Sequence, residues 1–383
     1  MAASTSPRSH DMTADAMLAG IRSWVEIESK SEDVDGVNRM MSKAAADYAA
    51  AGALVTRIPG EPGFGDHLSI RSPWGGRGSN RGILVLCHLD TVHPKGTIAS
   101  DLPYRVEGDC AYGPGIYDMK GGAYLALAAF RAIKASGAQT PLPLHFLYVS
   151  DEEVGSTTSR PHIEAAAREA KYVLVTEPAR DGGRIVTARK GVGRYDMHVT
   201  GRPAHSGARH EAGRSAVLEL ARQIIDIENK TDYKTGITFN IGMITGGTAD
   251  NVVPAKAHAT IDCRVMTIAQ SEAVEQMLFA LKPYNPDCRI SVTGQLNRPP
   301  YEKNPGVASL FTTAHALAAE IGFELIDMAT GGGSDGNFTA ATVPTLDGLG
   351  VDGHGAHTLD EHLLISSLVP RMRLQKRLFE TLT

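Results

Sequence analysis

Six residues of the chain have side chains that can hold metal ions and move protons: His88, Asp118, Glu152, Glu153, Glu177 and His357. Two imidazoles with four carboxylates and no thiolate make a nitrogen and oxygen donor set suited to Zn2+, Mn2+ or Co2+. Two such ions a few ångströms apart need a bridging carboxylate, with one histidine and one terminal acid each. One glutamate is then left over as a base.

Singly these residues are ordinary. Asp118, in GPGIYDMKGG, stands at a helix start, where an N-cap is a common use of aspartate. The glycines around it fit neither GxGxxG nor GxxxxGK[ST], which sets nucleotide binding aside. Glu152 and Glu153 read equally as a solvated turn, Glu177 precedes Pro178, and His357 has His354 and His362 as neighbours. Their positions distinguish them. ILVLC runs into His88-Leu89-Asp90, LHFLYVS into Asp151-Glu152-Glu153, and YVLVT into Glu177, and open α/β sheets bind ligands beyond the carboxyl ends of their strands. His88 and Asp90, two apart on extended chain, project to one side, so the acid can orient the imidazole.

The elements that must position them follow from the apolar pattern. Runs apolar on both faces at 83–87, 144–149 and 172–175 read as central parallel strands. Helices over 119–136 and 163–170 alternate with them. Ahead of these come helices over 14–29 and 37–51, then a short strand at 68–71 inside the Gly/Pro/Ser-rich stretch 60–81. From about Gly191 the order becomes strand 194–199, helix 214–229, strands 238–244 and 257–265, helix 271–281 and strand 289–293. That is β-α-β-β-α-β, the ferredoxin-like arrangement. The expected fold is α/β: a mostly parallel-sheet domain over 1–189 and 300–383, with an inserted ferredoxin-like α+β domain over 190–299. Helix 307–321 and strand 344–346 return to the first domain.

A length of 383 residues suits two domains. A hydrophobic fraction of 42% and a charged fraction of 21% describe a globular protein. No apolar run approaches the roughly 20 residues a membrane helix needs. A net charge of -5 without a dense Lys/Arg run gives no footprint for nucleic acid, so small molecules are the expected partners. Residues 1–17 lack the basic and apolar regions of a secretory leader. Cys87, Cys110, Cys263 and Cys288, far apart, read as buried thiols, which fits a reducing cytoplasm.

The strings LCHLDTV, YGPGIYDMKGG, SDEEVGS, VTEPA, GRPAHSGARHEAG, TADNVVPAKAHATIDCRV and TGGGSDG run in this order from about Ile83 to His357. Together they resemble the zinc carboxypeptidase and deacylase family that includes carboxypeptidase G, acetylornithine deacetylase, succinyl-diaminopimelate desuccinylase and aminoacylase. Within that family the pattern is most similar to carboxypeptidase G, although Tyr117 and Met119 differ from the acid-rich neighbours of Asp118 in that version. The resemblance implies two divalent ions, Zn2+ foremost, with His88 and Glu177 on one, Glu153 and His357 on the other, and Asp118 bridging. It implies that Asp90 orients His88, and that Glu152 takes a proton from the attacking water and passes it to the leaving nitrogen.

The inserted domain then corresponds to a lid and dimerisation domain, in which His205 stabilises an oxyanion in the partner's site of a homodimer. Arg264 and Asn251 match residues that hold a substrate carboxylate, and Gly332 and Gly333 of the TGGG run bring backbone close to substrate. The implied reaction is hydrolysis of the amide of an N-acyl or peptidyl amino acid with a free carboxylate, glutamate being the leading leaving group. Deacylation of another N-acyl amino acid, and an aminohydrolase acting on a non-peptide C–N bond with one tightly held ion, are the alternatives. A binding protein that merely kept the fold is disfavoured, because the ligands, Glu152 and His205 are all present.

Overall fold

Strands β1 (Leu54–Ile58), β2 (His67–Arg71), β3 (Gly82–His88), β4 (Leu144–Val149) and β5 (Ala170–Val175) build the larger sheet with a short sixth strand, Thr345–Leu346. Their spatial order is β1-β2-β4-β3-β5 followed by the sixth. β3 pairs in parallel with both β4 and β5, so the three expected parallel strands are direct neighbours. All seven residues of β3 are buried, as its unbroken apolar run requires. The antiparallel edge strand β1 is not foreseen in the sequence, because LVTRI is short and half exposed and offers neither an apolar run nor a clean alternation. This is a computed structural model, and it describes residues 13–75 and 81–383. Residues 1–12, which carry most of the expectation of a missing leader, and 76–80 of the Gly/Pro/Ser-rich stretch lie outside that range.

Helix Gly121–Ser136 is buried on every face from Gly121 to Phe130. Its start is pressed against the end of β5. A Cβ on Gly122 would lie 2.1 Å from the Thr176 carbonyl oxygen, and one on Gly350 would lie 2.4 Å from the same atom. Only glycine permits both approaches, and they wedge Glu177, the next residue, between helix start and turn. Helix Ile365–Thr381 is also unforeseen, since Pro370 and the charges of RMRLQKR obscure its period. It buries Leu368, Met372, Leu374, Leu378 and Phe379 in the core. From it the buried Arg371 donates to the carbonyls of Gly350 at 2.8 Å and Gly348 at 2.7 Å, fixing the turn behind Glu177.

The chain divides into two units, one made of the chain up to Thr187 with Lys303–Ala329 and Ser334–Thr383, the other of Ala188–Glu302 with Thr330–Gly333. The second contains β6 (Gly191–Thr200), β7 (Thr238–Gly246), β8 (Lys256–Val265) and β9 (Arg289–Arg298), with helices Ala216–Glu228 and Ile268–Phe279. The four strands are antiparallel in the order β7-β8-β6-β9, which is the ferredoxin-like sheet. Tyr195, Met197 and Val199 of β6 and Ala259, Ile261 and Cys263 of β8 share one core with both helices, while Asp196, His198, Asp262 and Arg264 alternate onto the other face. Among the described residues no helix is long and apolar enough to cross a membrane. All four cysteines are free; Cys110, expected to be buried, is only half-buried, because it lies in a short strand of a small separate sheet.

Candidate metal centre

Because β4, β3 and β5 lie side by side, Glu152 and Glu153, His88 and Asp90, and Glu177 leave the sheet at the same end. His88 is buried, with Nε2 3.2 Å from Asp118 Oδ1 and 3.6 Å from Glu177 Oε1. His357 Nε2 lies 3.1 Å from Glu153 Oε2 and 3.6 Å from Asp118 Oδ2. The two oxygens of Asp118 therefore turn to different histidines, as a bridging ligand's would. Donor atoms of His88, Glu152 and Glu177 lie within 4.8 Å of one another, as do those of His88, Asp118 and Glu153. All six residues singled out in the sequence are thus brought together. Asp118 is no N-cap: the helix begins at Gly121 with Lys120 as its cap residue, and the Asp118 backbone (φ -115, ψ 95) is not helical.

A cation fits this cluster. Oε1 of Glu153 is buried without a hydrogen-bond partner, a cost that folded proteins rarely leave uncompensated. Both imidazoles also present Nε2 to carboxylates. Beside them, the Met119 thioether accepts the His88 backbone N–H at 3.3 Å, which gives this non-acidic neighbour of Asp118 a structural role.

Asp90 departs from the simple orienting role. Its carboxylate accepts the backbone N–H of Glu152 at 3.2 Å, that of Glu153 at 3.1 Å and the Ser31 hydroxyl at 2.7 Å. His88 Nδ1 lies closer to the Asp90 carbonyl, at 3.0 Å, than to the carboxylate, at 3.5 Å. The backbone of Asp90 thus holds the ring while its side chain holds the 152–153 turn.

Sequence reasoning missed Arg180, whose Nη2 lies 3.8 Å from Glu177 Oε2, and it missed Glu361. Arg180 stands three residues after Glu177 in the same loop, a weak signal. For Glu361 the signal is an acid four residues after His357 and immediately before a strand.

The charges explain how the cluster is balanced in the metal-free protein. Hydrogen bonds to Asp118 and Glu153 push the His357 imidazole up to about 10. Burial pulls His88 down, but Asp118 and Asp90 leave it well above its ordinary value. Burial would raise the Asp118 carboxyl, yet His357 and His88 hold it below the usual carboxylate range. Burial raises that of Glu153. The neighbouring carboxylates thus favour the protonated form of both imidazoles, and a metal ion must displace those protons. Metal uptake at neutral pH is expected to release about two protons per chain, and the apparent affinity should climb as pH rises from about 6 to about 9. Calorimetry in buffers of different ionisation enthalpy reads the protons; an affinity independent of pH would contradict this picture.

The remaining candidates belong to the second unit. The exposed His205 accepts the N–H of Gly207 at 3.1 Å and of Ala208 at 3.2 Å on Nδ1, so its neutral ring carries the proton on Nε2. The exposed Asn251 accepts the Ser206 N–H on its carbonyl at 3.0 Å. Arg264, expected as a fork for substrate, is already bidentate on Asp262, with Nε 2.7 Å from Oδ1 and Nη2 2.9 Å from Oδ2. Gly332 and Gly333 are held by Arg189, whose Nη1 donates to their carbonyls at 3.1 and 3.3 Å. A Cβ on Gly333 would meet Arg298 Cδ at 2.8 Å.

Donors of this kind, gathered at strand ends of this fold, are what a metal-dependent hydrolase requires, and comparison with known proteins places the chain in that class. It belongs to peptidase family M20/M25/M40, whose profile matches residues 84–381. It is similar to carboxypeptidase G2 of Pseudomonas sp. (strain RS-16), 31% identical over 369 residues, covering 95% of this chain and 88% of that one. Succinyl-diaminopimelate desuccinylase of Dechloromonas aromatica is 27% identical over 338 residues, covering 83% and 88%. The crystal structure of aminopeptidase PepT from Bacillus cereus shares the fold, with a TM-score of 0.77 at 21% identity, covering 97% and 99%. The family expected from the motifs is thereby confirmed.

Proposed function

We propose that the protein is a glutamate carboxypeptidase-like enzyme of the cytoplasm. It hydrolyses the amide that joins an acyl or peptidyl group to an amino acid with a free carboxylate. The observation that carries this reading is Asp118, with one oxygen toward each of two histidines. In it His88 and Glu177 hold one divalent ion, Glu153 and His357 a second, and Asp118 both, with Zn2+ as the ion. When bound, such ions polarise the scissile carbonyl and make water a stronger acid. Glu152, on a turn pinned by Asp90, takes the proton of the attacking water and delivers it to the leaving nitrogen.

The first unit is the catalytic domain and the second the lid and dimerisation domain. His205, with its proton on Nε2, donates to the oxyanion formed in the partner's site of a homodimer. Exposed Val217, Leu218 and Ile225 on the helix after Ser215, with Met243 and Ile244 on the edge strand β7, support that dimer. Arg264, held by Asp262, and Asn251 are assigned to recognition of the leaving carboxylate, and Gly332 and Gly333 to contact with the substrate. The similarity to carboxypeptidase G2 supports glutamate as the leaving residue.

The test is a substrate series that varies only the C-terminal residue, assayed with the wild type and with Arg264→Ala. Glutamate should give the highest kcat/KM, and the variant should lose about 10–100-fold of it. No hydrolysis across the series would sink the activity. Equal rates on substrates lacking the carboxylate would sink the recognition.

A further inference from the structure

The loop that carries His357 is joined to the loop that carries Asp118 by one buried side chain. Glu361, 1% exposed, accepts the backbone N–H of Tyr117 at 2.9 Å and of Asp118 at 3.0 Å on Oε1. Its Oε2 accepts the N–H of Gly115 at 2.9 Å and lies 2.6 Å from Nε2 of the buried His93. His93 belongs to the segment leaving β3 five residues after His88. One carboxylate thus ties together the three segments that present His88, Asp118 and His357.

The two halves of the centre do not depend on it equally. His88 ends β3 and Glu177 follows β5 by two residues, and those strands are paired along their length by main-chain hydrogen bonds. Glu177 is further fixed by the Gly350 N–H, which donates to its carbonyl at 2.8 Å. His357, by contrast, is half exposed, sits at a positive φ of 65, and lies between two short strands, Gly353–His354 and His362–Leu364. Glu153 stands on a single turn of helix, Glu152–Val154. Toward His88, the Asp118 segment is held by Met119 on the His88 N–H and by the helix start packed on Thr176. Toward His357 it has the three-residue pairing of His362–Leu364 with Cys110–Tyr112 and, inside the loops themselves, Glu361, so the separation of Asp118 from His357 leans on Glu361 more than its separation from His88 does.

We propose that Glu361, assisted by His93, is a positioning residue that sets the separation of Asp118 from His357 and so governs the Glu153/His357 ion more than the His88/Glu177 ion. The inference rests on the two-ion reading above. Its chemistry is the matching of acceptors to donors. Both carboxylate oxygens accept, and every group facing them donates. Glu361→Gln keeps the volume but turns one acceptor into an N–H2 facing N–H groups. Changes one layer out from a metal ligand typically cost about 10–100-fold in metal affinity. Here that loss should fall on one ion of the pair.

Metal-free wild type, Glu361→Gln, His93→Gln and His93→Phe are to be titrated with Co2+, read by visible absorption and by stoichiometry at equilibrium dialysis. The wild type should take up two ions. Glu361→Gln should bind the first with near wild-type affinity and the second about 10–100-fold more weakly, and excess Co2+ should restore its kcat. His93→Phe, which removes one donor, should shift the second ion less, and His93→Gln, which can still donate to Oε2, should recover most of that shift. Equal weakening of both ions, or unchanged second-ion affinity, overturns the proposal. If Glu361→Gln does not fold, as judged by thermal unfolding of the metal-free protein, the two His93 variants decide by the same criterion. A wild type that binds a single ion would instead overturn the two-ion reading, an outcome distinct from loss confined to the variants.

Discussion

Replacing Glu152 by alanine is expected to lower kcat by a factor of about 10² to 10⁴ while metal content stays at the wild-type level. The argument is one of allocation. In the proposed two-ion reading five residues, His88, Asp118, Glu153, Glu177 and His357, would supply one histidine and one terminal acid to each ion and a bridge between them. Glu152 is left to handle protons, on a turn whose N–H is fixed by Asp90. Its donor atoms also lie within 4.8 Å of those of His88 and Glu177, so the competing outcome is specific: a ligand would take its ion with it. Metal analysis alongside kinetics separates the two, and unchanged kcat removes Glu152 from the reaction altogether. Mixing Glu152→Ala with His205→Ala chains extends the same experiment. Recovery of activity in the mixture is the result expected if His205 serves the partner's site, and no recovery counts against it.

The second large effect is expected at Asp118. Asp118→Ala removes a carboxylate that lies beside both histidines, and affinity for both ions should fall by more than the roughly 10–100-fold typical of residues that only support a ligand. Equilibrium dialysis reads this directly, and retention of two tightly bound ions would exclude a bridging role. The metal-free protein should change as well. The folded Asp118 carboxyl is held low, so its pairing contributes stability above the unfolded value near about 4 and is lost as pH falls from there. His357 is held high, up to about 10, so the same pairing is complete below its ordinary value and is lost as pH rises toward about 10. Denaturant unfolding of the metal-free wild type should show both limbs, and Asp118→Ala should flatten them. The exposure of His357 and its contact with solvent keep the size of the effect modest.

His88, Glu152, Glu153 and Glu177 are legible in the sequence because the parallel strand ahead of each is buried on both faces at its carboxyl end and runs into them. A strand end is a place that a pattern can locate, and neighbouring strands of one sheet converge there. β1 and the carboxyl-terminal helix are not legible, since an exposed edge strand and a helix interrupted by Pro370 hide their periods. Asp262 is a signal within reach: two residues from Arg264 on a strand, it shares a face and captures the fork. Glu361 is of another kind. Its place four residues after His357 is a cue, but its partners include main-chain N–H groups 243 to 246 residues earlier, and that cue does not name them. Residue type and spacing reveal the groups that touch an ion, whereas the groups that hold loops in place become visible only when the loops do.

The division of the first unit into separated stretches has a consequence for how the protein is born. His88, Asp118, Glu152, Glu153 and Glu177 all precede the second unit in the chain, and His357 follows it. Domains are made from the amino terminus at a pace that lets early segments fold before late ones exist. A nascent chain can therefore display most of a metal cluster long before its last imidazole and Glu361 leave the ribosome. A chain interrupted within the second unit would therefore lack His357 and Glu361 and present five of the six side chains of the cluster.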